Sequence, residues 1–157
     1  MNAKEEFIQI YKENIHREGA DTFLEFLEGV HSDFFTAPAS TRFHGNMEGG
    51  LCEHSVHVYH CLKDYLSRQR VQDTYNMHYS DETIALVALL HDVIEDCNVT
   101  ATDLLVEGFP REVVNGILAV TKQDGESYAD FIARAKQNEL GRIVKLHDLE
   151  DNLDIFR

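Results

Sequence analysis

His91, Asp92, Glu95 and Asp96 stand within six positions of one another, directly after the apolar run Ala85-Leu86-Val87-Ala88-Leu89-Leu90. Imidazoles and carboxylates are the side chains that hold divalent metals and move protons near neutral pH. Set on an α-helix, at about 100° per residue, the four fall within an arc of about 140°. Leu86, Leu89, Leu90, Val93 and Ile94 take the opposite arc, and the small Ala85 and Ala88 lie on the polar side just ahead of His91. The expectation is a helix with one face in the core and the other presenting His-Asp-x-x-Glu-Asp to a cavity. The plainer alternative is a solvated helix end with an ordinary acidic cluster. The apolar run argues against it, because charged groups beside continuous apolar surface are usually paired or bound to a metal.

Two further places carry the same chemistry. One is His54, in Glu53-His54-Ser55. The other is Asp148, in Lys145-Leu146-His147-Asp148-Leu149-Glu150-Asp151-Asn152-Leu153. On a helix Asp148, Asp151 and Asn152 share a face by i, i+3, i+4 spacing, beside an apolar stripe of Leu146, Leu149 and Leu153. Two imidazoles and two carboxylates (His54, His91, Asp92 and Asp148) suit a divalent ion such as Mn²⁺, Fe²⁺ or Zn²⁺. On an octahedral ion they leave room for a water and a phosphoryl oxygen. Such an ion lowers the pKa of the water and polarises the phosphorus.

The elements that must position these groups read as helices throughout. Phe7, Ile10, Tyr11 and Ile15 recur at helical spacing over residues 3 to 16. Asp21 is a candidate N-cap for a second helix with Phe23, Leu24, Phe26, Leu27 and Val30 as core. Residues 38 to 50 form the main loop, whose glycines permit tight turns and close approach to a ligand. It is not a phosphate-cradling P-loop, since no Gly-Lys-Ser/Thr follows. A helix from about Leu51 to Leu66 has Leu51, Ser55, Val58, Leu62 and Tyr65 inside. Residues 67 to 80 read as a polar connection. The central helix spans about Asp81 to Glu95, and Thr100 caps a short helix to about Glu107. Helices follow over about 111 to 121, 127 to 138 and 140 to 155. No strand and no internal repeat is expected, so the fold class is all-α, a single-domain helical bundle.

Composition narrows the partners. In 157 residues, 28 acids against 14 bases give a net charge of −14. That argues against a broad nucleic-acid-binding surface, which needs clustered Lys and Arg. It suits a site that collects a cation, though a generic acidic surface accounts for most of it. No apolar run is long enough for a membrane span, and the first residues lack a signal-peptide core. Cys52, Cys61 and Cys97 make no Cys-x-x-Cys pair, so a disulfide framework is not expected and a reducing cytoplasm suits the chain.

The order His54…His91-Asp92…Asp148 on an all-helical chain resembles the HD-domain superfamily of metal-dependent phosphohydrolases. Leu89-Leu90-His91-Asp92-Val93-Ile94-Glu95-Asp96 is similar to the LLHDxxED motif of its RelA/SpoT-type branch, which removes the 3′-pyrophosphate of (p)ppGpp using Mn²⁺. Lys145-Leu146-His147-Asp148 with Asn152-Leu153 is similar to that branch's KLxDxxxNL segment. Gly49-Gly50-Leu51-Cys52-Glu53-His54-Ser55 is closer to HD hydrolases at large. The resemblance covers about residues 38 to 155, leaving about 1 to 37 as a helical N-terminal extension of one domain, 1–157. It implies His54, His91, Asp92 and Asp148 as metal ligands, with Glu95 and Asp96 orienting or deprotonating the attacking water. Asn152 would contact the ligand or brace the site, and Arg42 could stand in for part of the guanosine-holding segment.

The chain has only His147 between Asp92 and Asp148, whereas two-metal HD proteins add histidines there, so one ion is expected. Mn²⁺ comes first, with Fe²⁺, Zn²⁺, Mg²⁺ or Ni²⁺ as alternatives. Arg42, His44, Lys145 and Asn152 are the candidates for holding substrate. His57 and His60 are read by default as partly exposed helical histidines, Lys122 as a phosphate ligand or a surface charge, and the cysteines as small buried hydrophobes. The reading is a cytoplasmic metal-dependent phosphohydrolase acting on a nucleotide or similar small phosphate ester, with a (p)ppGpp 3′-pyrophosphohydrolase as its narrower form. The alternatives are an HD-type nuclease or nucleotidase, and a metal- or nucleotide-binding HD domain without turnover.

Overall fold

The computed structural model describes residues 1–40 and 45–154. Among them no strand occurs, and the chain folds as a single helical domain. Helix α1 (Ala3–Asn14) starts at a capping box, in which Asn2 accepts the Glu5 amide and Glu5 accepts the Asn2 amide. Helix α2 is Ala20–Glu28, α3 Gly50–Ser67, α4 Gln69–Tyr75, α5 Asp81–Leu90 and α6 Val93–Asp96. Then come α7 (Ala101–Val106), α8 (Arg111–Val120), α9 (Tyr128–Gln137) and α10 (Glu139–Asn152). Ser80, Thr100, Ser127 and Asn138 each accept a first-turn amide, satisfying donors that a helix start leaves open.

Helix α5 is the post at the centre. It packs on α3, α1 and α8, and α10 lies across α8 and α3. Every residue from Ile84 to Leu90 is buried. A helix that is apolar all round is one enclosed on all sides. Phe7, Ile10 and Tyr11 of α1 join the same core as α5, so the N-terminal segment is built into the bundle. Where α10 crosses α8, Gly141 makes the contact possible: a Cβ there would lie 2.6 Å from that of Ala119.

The structure departs from the sequence reading at several places. Val30, expected in the core, is exposed and lies beyond the end of α2. The central helix stops at Leu90 instead of running to Glu95. His91 and Asp92 form a turn, and α6 restarts beyond it. The His91 ring bonds the Ala88 carbonyl at 2.7 Å, and Asp92 sits at φ −98°, ψ −1°, which opens the helix there. Ala85 and Ala88 are fully buried against neighbouring helices and face no cavity. Residues 69–75, read as connection, form α4 on the single anchor of buried Val71. Asp21 is not the cap of α2. Gly19 is, at φ +84°, where a Cβ would meet the Glu107 carbonyl at 2.2 Å. Finally, Leu146 and Leu153 are exposed, and α10 buries Leu140, Ile143 and Val144 together with His147, Asp148 and Asp151.

Candidate metal centre

Three helices bring the centre together. His54 comes from the first turns of α3, and the start of that helix is fixed by backbone bonds. The Gly49 amide donates to Thr36 O and the Leu51 amide to Ala37 O. Gly50 permits the close approach of the preceding loop, since a Cβ there would lie 2.0 Å from Gly45 O. His91 and Asp92 sit at the break between α5 and α6, and Asp148 on the inward face of α10. Residues 54, 91 and 148 are far apart in sequence, and only the packing of α3, α5 and α10 joins them.

The ring nitrogens define the chemistry. His91 Nδ1 donates to the Ala88 carbonyl at 2.7 Å, which leaves its Nε2 with a lone pair when the ring is neutral. His54 Nδ1 lies 2.6 Å from Asp151 Oδ2. The two Nε2 atoms therefore face each other, 3.2 Å apart. Asp92 Oδ2 is 3.1 Å from His91 Nε2 and 3.6 Å from His54 Nε2. Asp148 Oδ1 is 3.1 Å and 4.0 Å from the same two atoms, His54 first. Two lone pairs at this separation, between two carboxylates, repel unless a cation lies among them. That cation is either a proton or a metal ion. His54, His91 and Asp148 offer ligand atoms all within 4.8 Å of one another, and all three residues are buried.

The electrostatics follow from this crowding. Burial disfavours charge on His54, but its hydrogen bonds to Asp148 and Asp151 and the charge of Asp92 outweigh that, pushing the ring up to about 10. His91 moves up likewise, since the Asp92 carboxylate outweighs complete burial. Burial alone would raise Asp92 and Asp148. The imidazoles, and for Asp148 also Lys145, hold both carboxyls below their ordinary range instead. The carboxylates that favour a proton on these rings would equally favour a metal ion in its place.

Asp148 is braced on both oxygens. Lys145 Nζ donates to Oδ2 at 2.6 Å, and Asn152 Nδ2 to Oδ1 at 2.7 Å. The two substrate-binding candidates on α10 are therefore engaged with the carboxylate. The others, Arg42 and His44, lie outside the described residues. Glu95 and Asp96 are exposed on α6, just beyond the His91-Asp92 turn. Glu95 Oε2 accepts the Lys122 amide at 3.2 Å. The Asp96 carboxyl is pushed up to about 7 by partial loss of water, then by the charges of Asp92 and Glu95. An open polar cavity of about 780 Å³ runs past Glu95 along residues 121–127.

Of the remaining histidines, His60 pairs with Glu6 at 2.7 Å, and His147 lies against Tyr65 with its Nδ1 on Glu150. Cys52 and Cys97 are buried, and no disulfide joins any of the three cysteines. The residue the sequence reading left without a role is Asp151. Its place on the face of Asp148 was legible from the spacing. Its partner was not, because His54 is 97 positions away.

No protein-family model matches the chain, and no curated protein matches it.

Proposed function

We propose that the protein is a metal-dependent phosphohydrolase of the HD-domain type, with one divalent ion, acting on a nucleotide or a similar small phosphate ester. The observation that carries this is the convergence of the His54 and His91 Nε2 atoms, 3.2 Å apart, between Asp92 and Asp148. The donor set fits a divalent ion. Both imidazoles have Nδ1 engaged elsewhere, as metal-bound histidines do, and both carboxylates bring negative charge to the same place. Mn²⁺ is the first choice for two nitrogens and two hard oxygens, with Fe²⁺ and Zn²⁺ behind it.

When bound, the ion supplies charge that polarises a phosphoryl group and acidifies a water. The chain's own residues do the rest. Lys145 occupies Asp148 Oδ2, which leaves Oδ1 as the oxygen that faces the imidazoles and would meet the ion. Glu95 and Asp96, just past the His91-Asp92 turn, orient the attacking water and take its proton. The Lys122 amide fixes the Glu95 carboxylate for that role.

The likeness of Leu89–Asp96 to the LLHDxxED motif makes the 3′-pyrophosphate of (p)ppGpp the first substrate to try. The net charge of −14 favours small nucleotides over polynucleotides. No helix among the described residues is long and apolar enough to cross a membrane, and we place the protein in the cytoplasm.

The test is phosphate and pyrophosphate release from ppGpp, dNTPs and nucleoside monophosphates, with Mn²⁺ and with chelator. Mn²⁺-dependent pyrophosphate release from ppGpp, absent in Asp92→Ala, is the expected result. Release from other nucleotides alone keeps the metal chemistry and replaces the substrate. Turnover by metal-stripped Asp92→Ala protein, or none by wild type with any metal, contradicts the proposal.

A further inference from the structure

The two histidines of the centre are held from behind in different ways. Behind His91 is a neutral backbone carbonyl, that of Ala88. Behind His54 is a carboxylate, Asp151, at 2.6 Å. Asp151 is itself buried, with 7% of its surface exposed. A buried carboxylate is costly unless its oxygens are hydrogen-bonded or paired. One oxygen meets His54 Nδ1, and the other lies 3.3 Å from Nδ1 of His57, a half-exposed ring. Helix geometry explains the arrangement. His54 and His57 are three residues apart on α3, so both rings look toward α10. Asp148 and Asp151 are three apart on α10, so both carboxylates look back. Asp148 reaches the inner nitrogen of His54, and Asp151 reaches the outer one.

We propose that Asp151, flanked on its outer side by His57, is the positioning residue that fixes the His54 ring on the metal ion. This rests on the metal reading above and extends it to two residues outside the ligand set. The carboxylate holds the proton of His54 on Nδ1, which keeps Nε2 as the ligand atom. Its charge makes that nitrogen a stronger donor. His57 Nδ1 lies 3.3 Å from the second carboxylate oxygen and adds to what keeps Asp151 turned toward His54. His91 has no such removable support, because its partner is main chain. The affinity of the centre can therefore be lowered from the α3–α10 side without touching a ligand.

The experiment is a titration of metal-stripped full-length protein with Co²⁺, read by its visible absorption, for wild type, Asp151→Asn, His57→Gln and Glu150→Gln. Helicity of each variant is checked before the titration. Asp151→Asn keeps the shape, removes the charge and leaves one acceptor for two rings. It is expected to weaken Co²⁺ by about 10–100-fold and to change the shape of the spectrum. His57→Gln, at a half-exposed position that tolerates replacement, weakens it in the same direction by less. Glu150→Gln removes an exposed charge one residue away and leaves affinity within about twofold, as expected for a screened surface charge.

Asp151→Asn binding as tightly as wild type overturns the proposal. So does a loss in Asp151→Asn that Glu150→Gln matches, and so does His57→Gln behaving as wild type. In those three cases the metal reading stands. Wild-type protein that takes up no Co²⁺ overturns the metal reading, and this inference with it.

Discussion

Helices α5 and α10 both carry residues of the centre, and they are built in opposite ways. In α5 everything from Ile84 to Leu90 is apolar and enclosed, and the residues of the centre begin only where the helix ends, at His91. In α10 the expected order is turned round. Leu146 and Leu153 face solvent, at 57% and 74% exposure, while His147, Asp148 and Asp151 point inward. Apolar burial locates α5. The position of α10 rests partly on Leu140, Ile143 and Val144 at its first turns, and beyond them on groups engaged with α3 and with its own turn. The difference teaches that one helix serves as apolar scaffold and the other as the polar wall of the site. A helix turns its leucines outward only when its inward polar groups have better partners than water.

The largest effects should come from cutting the scaffold. Leu90→Ala in α5 and Ile143→Ala in the first part of α10 each remove a side chain that is at most 2% exposed. Each should cost about 2–5 kcal/mol in a denaturant titration. A much smaller loss at Ile143 would mean that α10 is held by its polar contacts alone.

Metal should act next, and through α10. An ion that binds only the folded state at a hundred times its Kd adds about 2.7 kcal/mol. For a chain of this size that raises Tm by about 5–10 °C. Calorimetry with and without Mn²⁺ measures it, and Asp148→Ala should abolish the rise. A rise of equal size in Asp148→Ala would detach the ion from α10.

At the first turn of α5, Glu82 receives two hydrogen bonds from Arg17, both 3.0 Å. The guanidinium holds the Glu82 carboxyl below its usual range. A carboxyl depressed in the folded state contributes stability above its unfolded pKa and loses it as pH falls through the folded one. The pair is partly exposed, so Glu82→Gln should cost only about 0.5–1 kcal/mol at pH 7. That cost should shrink when the pH is taken well below the ordinary carboxylate range. A difference independent of pH would show that packing, not charge, is what Glu82 provides.

The smallest effect belongs to the outward stripe. Leu146→Gln should leave stability within about 0.5 kcal/mol. Thermal melts of Leu146→Gln and Ile143→Ala, side by side, test the inversion of α10 directly.

How legible all this was in the sequence depended on distance along the chain. Apolar periodicity located α1, α3 and α8 to within a few residues, because a buried stripe leaves a regular spacing. Thr100 announced α7 because a capping box is local. The break at His91 was not legible. It arises from a side chain taking a backbone carbonyl, and the residues on both sides are good helix formers. The stripe of Leu146, Leu149 and Leu153 misled for a related reason. Hydrophobic spacing assumes that polar groups face water, and at a metal-type centre they face one another. His54, His91, Asp92 and Asp148 were identifiable as types with chemistry to do. Their meeting, and the part of Asp151, required the contacts between α3 and α10.

The most direct measurement is a calorimetric titration of Mn²⁺ into metal-stripped protein, for wild type, His91→Ala and Asp148→Ala, with helicity checked in each. The account predicts one ion per chain in wild type and no measurable uptake in either variant. Wild-type protein that binds no ion, or variants that bind as wild type does, would contradict it.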